Sequence, residues 1–299
     1  MKLSSILTVL FWFAAAAGAQ DQKNSAHLSI VVSIVPQVFF VEQIGGNRVQ
    51  VEAIVQPGHN PHTYEPTPRQ LALLSGADVY FSIGVAFEKG FIPKLKNLLP
   101  KLLVIDTSRG VPLRSMKGDR DDPASGRSKN TEKHHEHGED PHIWLSPQLV
   151  ILQARTIRDA LVALDPEGKD IYETNTERFI EKLQQLDREL QALLSDLPSR
   201  KFMVYHPAWG YFADAFRLEQ IEVETEGKTP AAKQLARIID QAKREGVKVV
   251  FTQPQFSMKS AETIADSIGG KVVPIDPLAE DIFANLKSVA ESIREAVIQ

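Results

Sequence analysis

The chain has 299 residues, 43% hydrophobic and 24% charged, an ordinary globular composition with length for one large domain or two moderate ones. A formal net charge of −4 and a pI near 6.1 offer no basic footprint, which excludes nucleic acid as an expected partner. There is no cysteine, so neither a disulfide framework nor a lipoprotein-type anchor is expected.

The amino terminus carries Lys2, an apolar run from Ile6 to Ala17 and the small residues Ala17-Gly18-Ala19. This is the layout of a cleavable secretory signal over 1–19, too short for a lasting membrane anchor. No later stretch approaches the roughly 18 consecutive apolar residues of a membrane helix. A soluble exported protein is expected, with the bacterial periplasm as its simplest address.

The β-branched run Leu28–Val35 predicts a strand, and "QVFFVEQIGG" a helix closing at Gly45 and Gly46. "VQVEAIV" is a second strand, followed by the proline-rich "PGHNPHTYEPTP". A helix then starts at Thr67 as N-cap with Pro68 at its first position. "DVYFSIG" and "LLVIDTS" read as strands with a helix, "FEKGFIPKLKNLL", between them. Strands alternating with helices predict a parallel, doubly wound α/β lobe over 28–166.

Within that lobe, residues 114–140 lose the pattern. The segment is polar and charged, too poor in apolar residues to build a core, and reads as a mobile loop containing His134, His135 and His137. "PQLVILQARTIRDALVALDP" restores helical periodicity. A long amphipathic helix follows over Asp170–Leu197, within a linking segment 167–198 that Pro198 ends. At about 1.5 Å per residue it would span roughly 40 Å, more than one sheet needs. "KFMVYH", "IEVETE", "KVVFTQ" and "KVVPID" then alternate with helices, giving a second α/β lobe over 199–299. The fold class expected is two doubly wound lobes joined by a long linking helix, without a strong internal repeat.

In doubly wound sheets ligands bind beyond the carboxyl ends of the strands. His62 follows the strand ending at Val55, His206 follows "KFMVY", Asp276 follows "KVVPI", and His142 sits between the polar loop and a helix. Three imidazoles and one carboxylate make a suitable tetrahedral set for zinc. Each has an ordinary alternative: Asp276 before Pro277 suits a cap or turn, and His206 before Pro207 suits a strand end.

The segments "PGHNPHTYEPTP", "DPHIWLSP", "YHPAWGYFADAF", "TQPQFS" and "IDPL" together resemble the metal-binding receptors of ABC importers for zinc and manganese, bacterial solute-binding protein family 9. They occur in the family's order and span the chain beyond the signal. The resemblance implies two lobes, a linking helix and a metal in the interlobe cleft, held by His62, His142, His206 and Asp276. His59 matches no ligand position and is, with His134, His135 and His137, an auxiliary candidate only. Gln253 stands where the family often has glutamate, which bears on lobe packing and release.

Manganese receptors of this family tend to carry a carboxylate where this chain has His206, and imidazoles suit zinc whereas oxygen donors suit manganese. Zn²⁺ is therefore the expected cargo, with Mn²⁺ or iron on the same scaffold as the alternative. Four protein ligands leave no position for an activated water, so a carrier rather than an enzyme is expected. The rival, a zinc hydrolase, lacks an H-E-x-x-H signature. Affinity is expected to fall as pH drops toward the histidine pKa of about 6.5, with Glu65 as a nearby balancing charge. The expected partners are an inner-membrane ABC permease with its cytoplasmic ATPase, and the receptor itself a monomer.

Overall fold

The computed structural model describes residues 27–115, 138–224, 230–256 and 258–298. The predicted signal peptide and the loop histidines His134, His135 and His137 lie outside the described residues. Among the described residues no helix is long and apolar enough to cross a membrane.

The first lobe runs β1 (Leu28–Val32), α1 (Val35–Gly45), β2 (Val49–Ala53), α2 (Pro68–Ser75), β3 (Val79–Ser82), α3 (Ala86–Leu98), β4 (Leu103–Asp106) and α4 (Pro147–Leu164). Its four strands are parallel in the order β2-β1-β3-β4. Then come α5 (Lys169–Leu193), β5 (Lys201–Val204), α6 (Gly210–Ala215), β6 (Glu219–Glu222), α7 (Ala232–Arg244), β7 (Val249–Thr252), α8 (Lys259–Ile268), β8 (Lys271–Pro274) and α9 (Ile282–Ile298). The second sheet, also parallel, is ordered β6-β5-β7-β8. The two sheets therefore share one topology, a structural repeat that leaves no strong trace in the sequence. The fold is the expected pair of α/β lobes with a long helix.

Local chemistry sets several boundaries. The apolar run after Leu28 does not stay in the strand: Ile34 is the N-cap of α1, and Pro36 in its first turn supplies a preset helical φ. The expected capping of α2 is present, with Thr67 Oγ1 accepting from Gln70 N and the Gln70 side chain accepting from Thr67 N. The long helix stops at Leu193, short of the expected Leu197. There the Arg200 guanidinium donates to the carbonyls of Leu194 and Ser195, both at 2.6 Å, and turns the chain before Pro198. Strand β6 begins two residues earlier than "IEVETE" suggested, and α6 was not expected at all.

Packing alternates along β5 as strand geometry requires. Phe202 and Val204 join a core that also holds Val32 and Phe81 of the first sheet, Leu183 of α5 and Leu286 of α9. Met203 and Tyr205 face a smaller cluster with Ile238 and Ile264. One hydrophobic core thus crosses the junction between lobes. At its edge Phe39 of α1, Phe179 of α5 and Phe283 of α9 form a triangle of edge-on contacts, with centroids 6.2, 5.9 and 5.9 Å apart.

Candidate metal centre

Loops beyond the strand ends of both sheets carry the candidate residues. After β2, the segment holding His62 is fixed at both ends by Gln70, whose amide donates to Ile54 O and whose side chain caps α2 through Thr67. In between, Asn60 Oδ1 accepts from His62 N at 2.8 Å, an Asx turn that aims the imidazole. Prolines 57, 61, 66 and 68 keep this loop from becoming helix.

His142 caps a 3-10 turn, Ile143–Leu145, and is buried. Asp140 Oδ1 contacts its Nδ1 at 2.7 Å and accepts from its backbone N at 3.0 Å. His206 sits just past β5, also buried, stacked on Phe256 at 4.6 Å. Its Nδ1 faces Glu224 Oε1 at 3.4 Å, while Gln253 clamps its backbone, accepting from N at 3.3 Å and donating to O at 2.9 Å. A carboxylate at Nδ1 places the proton there and leaves the Nε2 lone pair for the cavity.

The structure brings the three imidazoles together: ligand atoms of His62, His142 and His206 all lie within 4.8 Å of one another. Nε2 of His62 and Nε2 of His206 are 3.1 Å apart. A tetrahedral zinc with N ligands near 2.05 Å requires about 3.3 Å along that edge. Two lone pairs at this separation repel unless a proton or cation lies between them. Burial, then the neighbouring His206 and His142, pushes the His62 imidazole down to about 3, and burial lowers His206 as well. Both rings are therefore neutral, as a metal ligand must be.

The cavity these rings share with Trp144, Gln255, Phe256 and Pro277 measures about 20 Å³. One water or one ion fills it. An organic substrate, which needs roughly 300 Å³ or more, does not fit.

Asp276 is not among the residues that meet within 4.8 Å. It lies one residue before the cavity-lining Pro277, and its Oδ1 accepts from Gln255 Nε2 and from Leu278 N, both at 2.9 Å. His59 is exposed, its ring set edge-on to Tyr64 at 5.6 Å and outside the cluster. Glu65 is exposed too, so it gives no buried balancing charge.

Residues 30–296 match the family described as "ZnuA: Zinc-uptake complex component A periplasmic". The chain belongs to this family. A crystal structure of ZnuA superimposes with a TM-score of 0.83 at 44% identity, covering 91% of this chain and 99% of that one. A ZnuA deletion mutant with zinc bound gives 0.82 at 44% identity, covering 91% and 98%. The high-affinity zinc uptake system protein ZnuA of Bacillus subtilis is 29% identical over 282 residues, 91% of this chain and 87% of its own.

The carboxylates behind the imidazoles of this ZnuA-family chain, Asp140 and Glu224, were not singled out from the sequence. Asp140 is two residues from His142 in "DPH", a spacing that lets a short acid reach back to the ring. Glu224 carried no signal, because it reaches His206 only through the pairing of β5 with β6.

Proposed function

We propose that this chain captures Zn²⁺ outside the cytoplasm and delivers it to an inner-membrane ABC permease driven by a cytoplasmic ATPase. The observation that carries this is the convergence of three buried or half-buried imidazoles, from loops of both lobes, on a cavity of one ion's size. His62, His142 and His206 supply neutral nitrogen ligands. Asp276 completes the set, its Oδ2 turning toward the ion while Oδ1 stays with Gln255 and Leu278.

The cargo's double charge is offset by Asp276 together with Asp140 and Glu224 behind the rings, which is how a dication can sit in a buried site. Three imidazoles favour zinc over manganese or iron on donor softness. A carrier reading is favoured over a zinc hydrolase because the cavity admits no organic substrate. The receptor works as a monomer in the periplasm without a lipid anchor, and its units are the lobes 28–166 and 199–299 about the linking segment 167–198.

Competitive titration of metal-free protein with zinc and manganese tests the reading. One tight equivalent of zinc, displaced only by large excess of manganese, is the expected result; tighter manganese binding overturns the cargo assignment. Zinc-dependent ester hydrolysis that disappears in His206→Ala would overturn the carrier reading.

A further inference from the structure

Beside the metal centre, and not part of it, the two lobes are joined by a polar latch. Arg114 follows β4 of the first lobe, and Asp140 N donates to Arg114 O at 2.8 Å, beside an isolated antiparallel bridge between Ser115 and Glu139. Opposite them stands α6 of the second lobe. Arg114 Nη1 donates to Gly210 O at 2.5 Å and pairs with Asp214 Oδ2 at 2.5 Å, while its Nε faces Asp140 Oδ2 at 3.9 Å. The Tyr211 hydroxyl is shared: it accepts from Arg114 N and donates to Asp140 O, each at 2.9 Å. The guanidinium also lies 5.7 Å from the Tyr211 ring centroid.

This contact is built to be close. A Cβ at Gly210 would stand 3.0 Å from both the Arg114 guanidinium carbon and Asp140 Oδ2, so only glycine admits the approach without displacing one of them. Tyr211 is 5% exposed, and burial raises its hydroxyl to about 12, which keeps it a donor. Asp140 divides its oxygens between the two systems: Oδ2 faces the latch and Oδ1 holds the His142 ring. A shift of α6 relative to Arg114 therefore pulls on the group that orients His142.

We propose that Arg114 and Tyr211 are positioning residues: through Asp140 they tie the His142 imidazole to the second lobe, so that the hold on the metal depends on the contact between lobes. With His142 as a zinc ligand, the reading on which this rests, opening the latch frees the Asp140 carboxylate that orients its ring. Metal release then begins at His142.

The test uses the full mature chain and zinc itself. Zinc affinity is measured by chelator competition, release by stopped-flow transfer to excess chelator, and the His142 ring by its ¹⁵N shifts. Arg114→Met should weaken zinc binding by about tenfold, within the range for partners outside the ligand shell, chiefly through faster release. Tyr211→Phe, which removes one hydroxyl and leaves the packing, should act in the same direction and shift the His142 nitrogen signals in the metal-free protein. Arg114→Lys should recover only part of the loss, because an ammonium has no second nitrogen to face Asp140 Oδ2 as Nε does. In an Asp140→Asn background, Arg114→Met should add little. Unchanged zinc release in both Arg114→Met and Tyr211→Phe overturns the proposal, as does a full additive loss in the Asp140→Asn background. A His142→Ala variant that binds zinc like the parent removes the ligand reading itself, an outcome separate from an idle latch.

Discussion

Asp140 Oδ1 lies 2.7 Å from Nδ1 of His142, and both residues are almost sealed from solvent. This pair fixes the ring's tautomer as well as its direction, since a carboxylate at Nδ1 leaves Nε2 unprotonated toward the cavity. Asp140→Ala should therefore weaken zinc binding by about 10–100-fold while leaving the ligand count unchanged. Cobalt substitution provides the check: tetrahedral absorption should persist in Asp140→Ala and collapse in His142→Ala.

The two histidines of the proline-rich loop should behave asymmetrically. His62 reaches the cluster, whereas His59 faces Tyr64 at the surface. His62→Ala should abolish tight zinc binding and His59→Ala should leave it within about twofold, the scale expected of surface substitutions. Equal losses in a competition titration would contradict the geometry.

The pH response follows from the lowered imidazoles. Because the folded values of His62 and His206 lie below the ordinary 6.5, the unfolded chain takes up protons that the folded chain refuses. Stability of the metal-free protein is thus fully present above pH about 6.5 and is lost as pH falls toward the folded values, about 3 for His62. The consequence for zinc departs from the expectation drawn from ordinary histidines. Between pH 6.5 and 5.5, three ordinary imidazoles would lose about two decades of affinity through proton competition. With the His62 and His206 imidazoles lowered by burial, the loss should be smaller than that. Competition titrations at the two pH values measure it directly.

Gln253 carries the amide clamp on His206. Gln253→Leu takes the partner from the buried His206 N–H, at about 1–3 kcal/mol, while His206 O keeps its bond from Ala208 N at 2.8 Å. A lowered melting temperature together with weaker zinc binding is expected, because the strand end that places His206 loses its tether.

Phe179 sits in the aromatic triangle and is 1% exposed. Phe179→Ala should cost about 3–5 kcal/mol by opening a cavity where α1, α5 and α9 meet. Denaturant unfolding reads this, with a single transition expected because one core spans the junction.

Much of this was legible in the sequence, for reasons that can be named. Short β-branched runs marked the strands, and Thr67-Pro68 marked the start of α2 because capping is a local interaction. Strand ends were overextended where the apolar run continued into the next helix, as at Ile34 and Val35. The stop of α5 was misplaced because Arg200, which ends it, lies beyond the proline that had seemed decisive. His62 and His206 stand out by their place after strands and His142 by its place between the polar loop and a helix, but their meeting depends on two sheets facing each other across a cleft. Glu224 is invisible because it meets His206 only through the pairing of β5 with β6, and the shared topology of the sheets resides in strand order rather than in residue identity.

A cavity of about 20 Å³ also governs timing. A zinc ion arrives in water with a full hydration shell, and that shell is larger than the space awaiting it. Entry must proceed by exchanging water molecules for imidazoles in succession, and departure must run the same sequence in reverse. The slow step in either direction is then dehydration or rehydration at a crowded centre. A receptor built this way is expected to hold its cargo by residence time as well as by affinity.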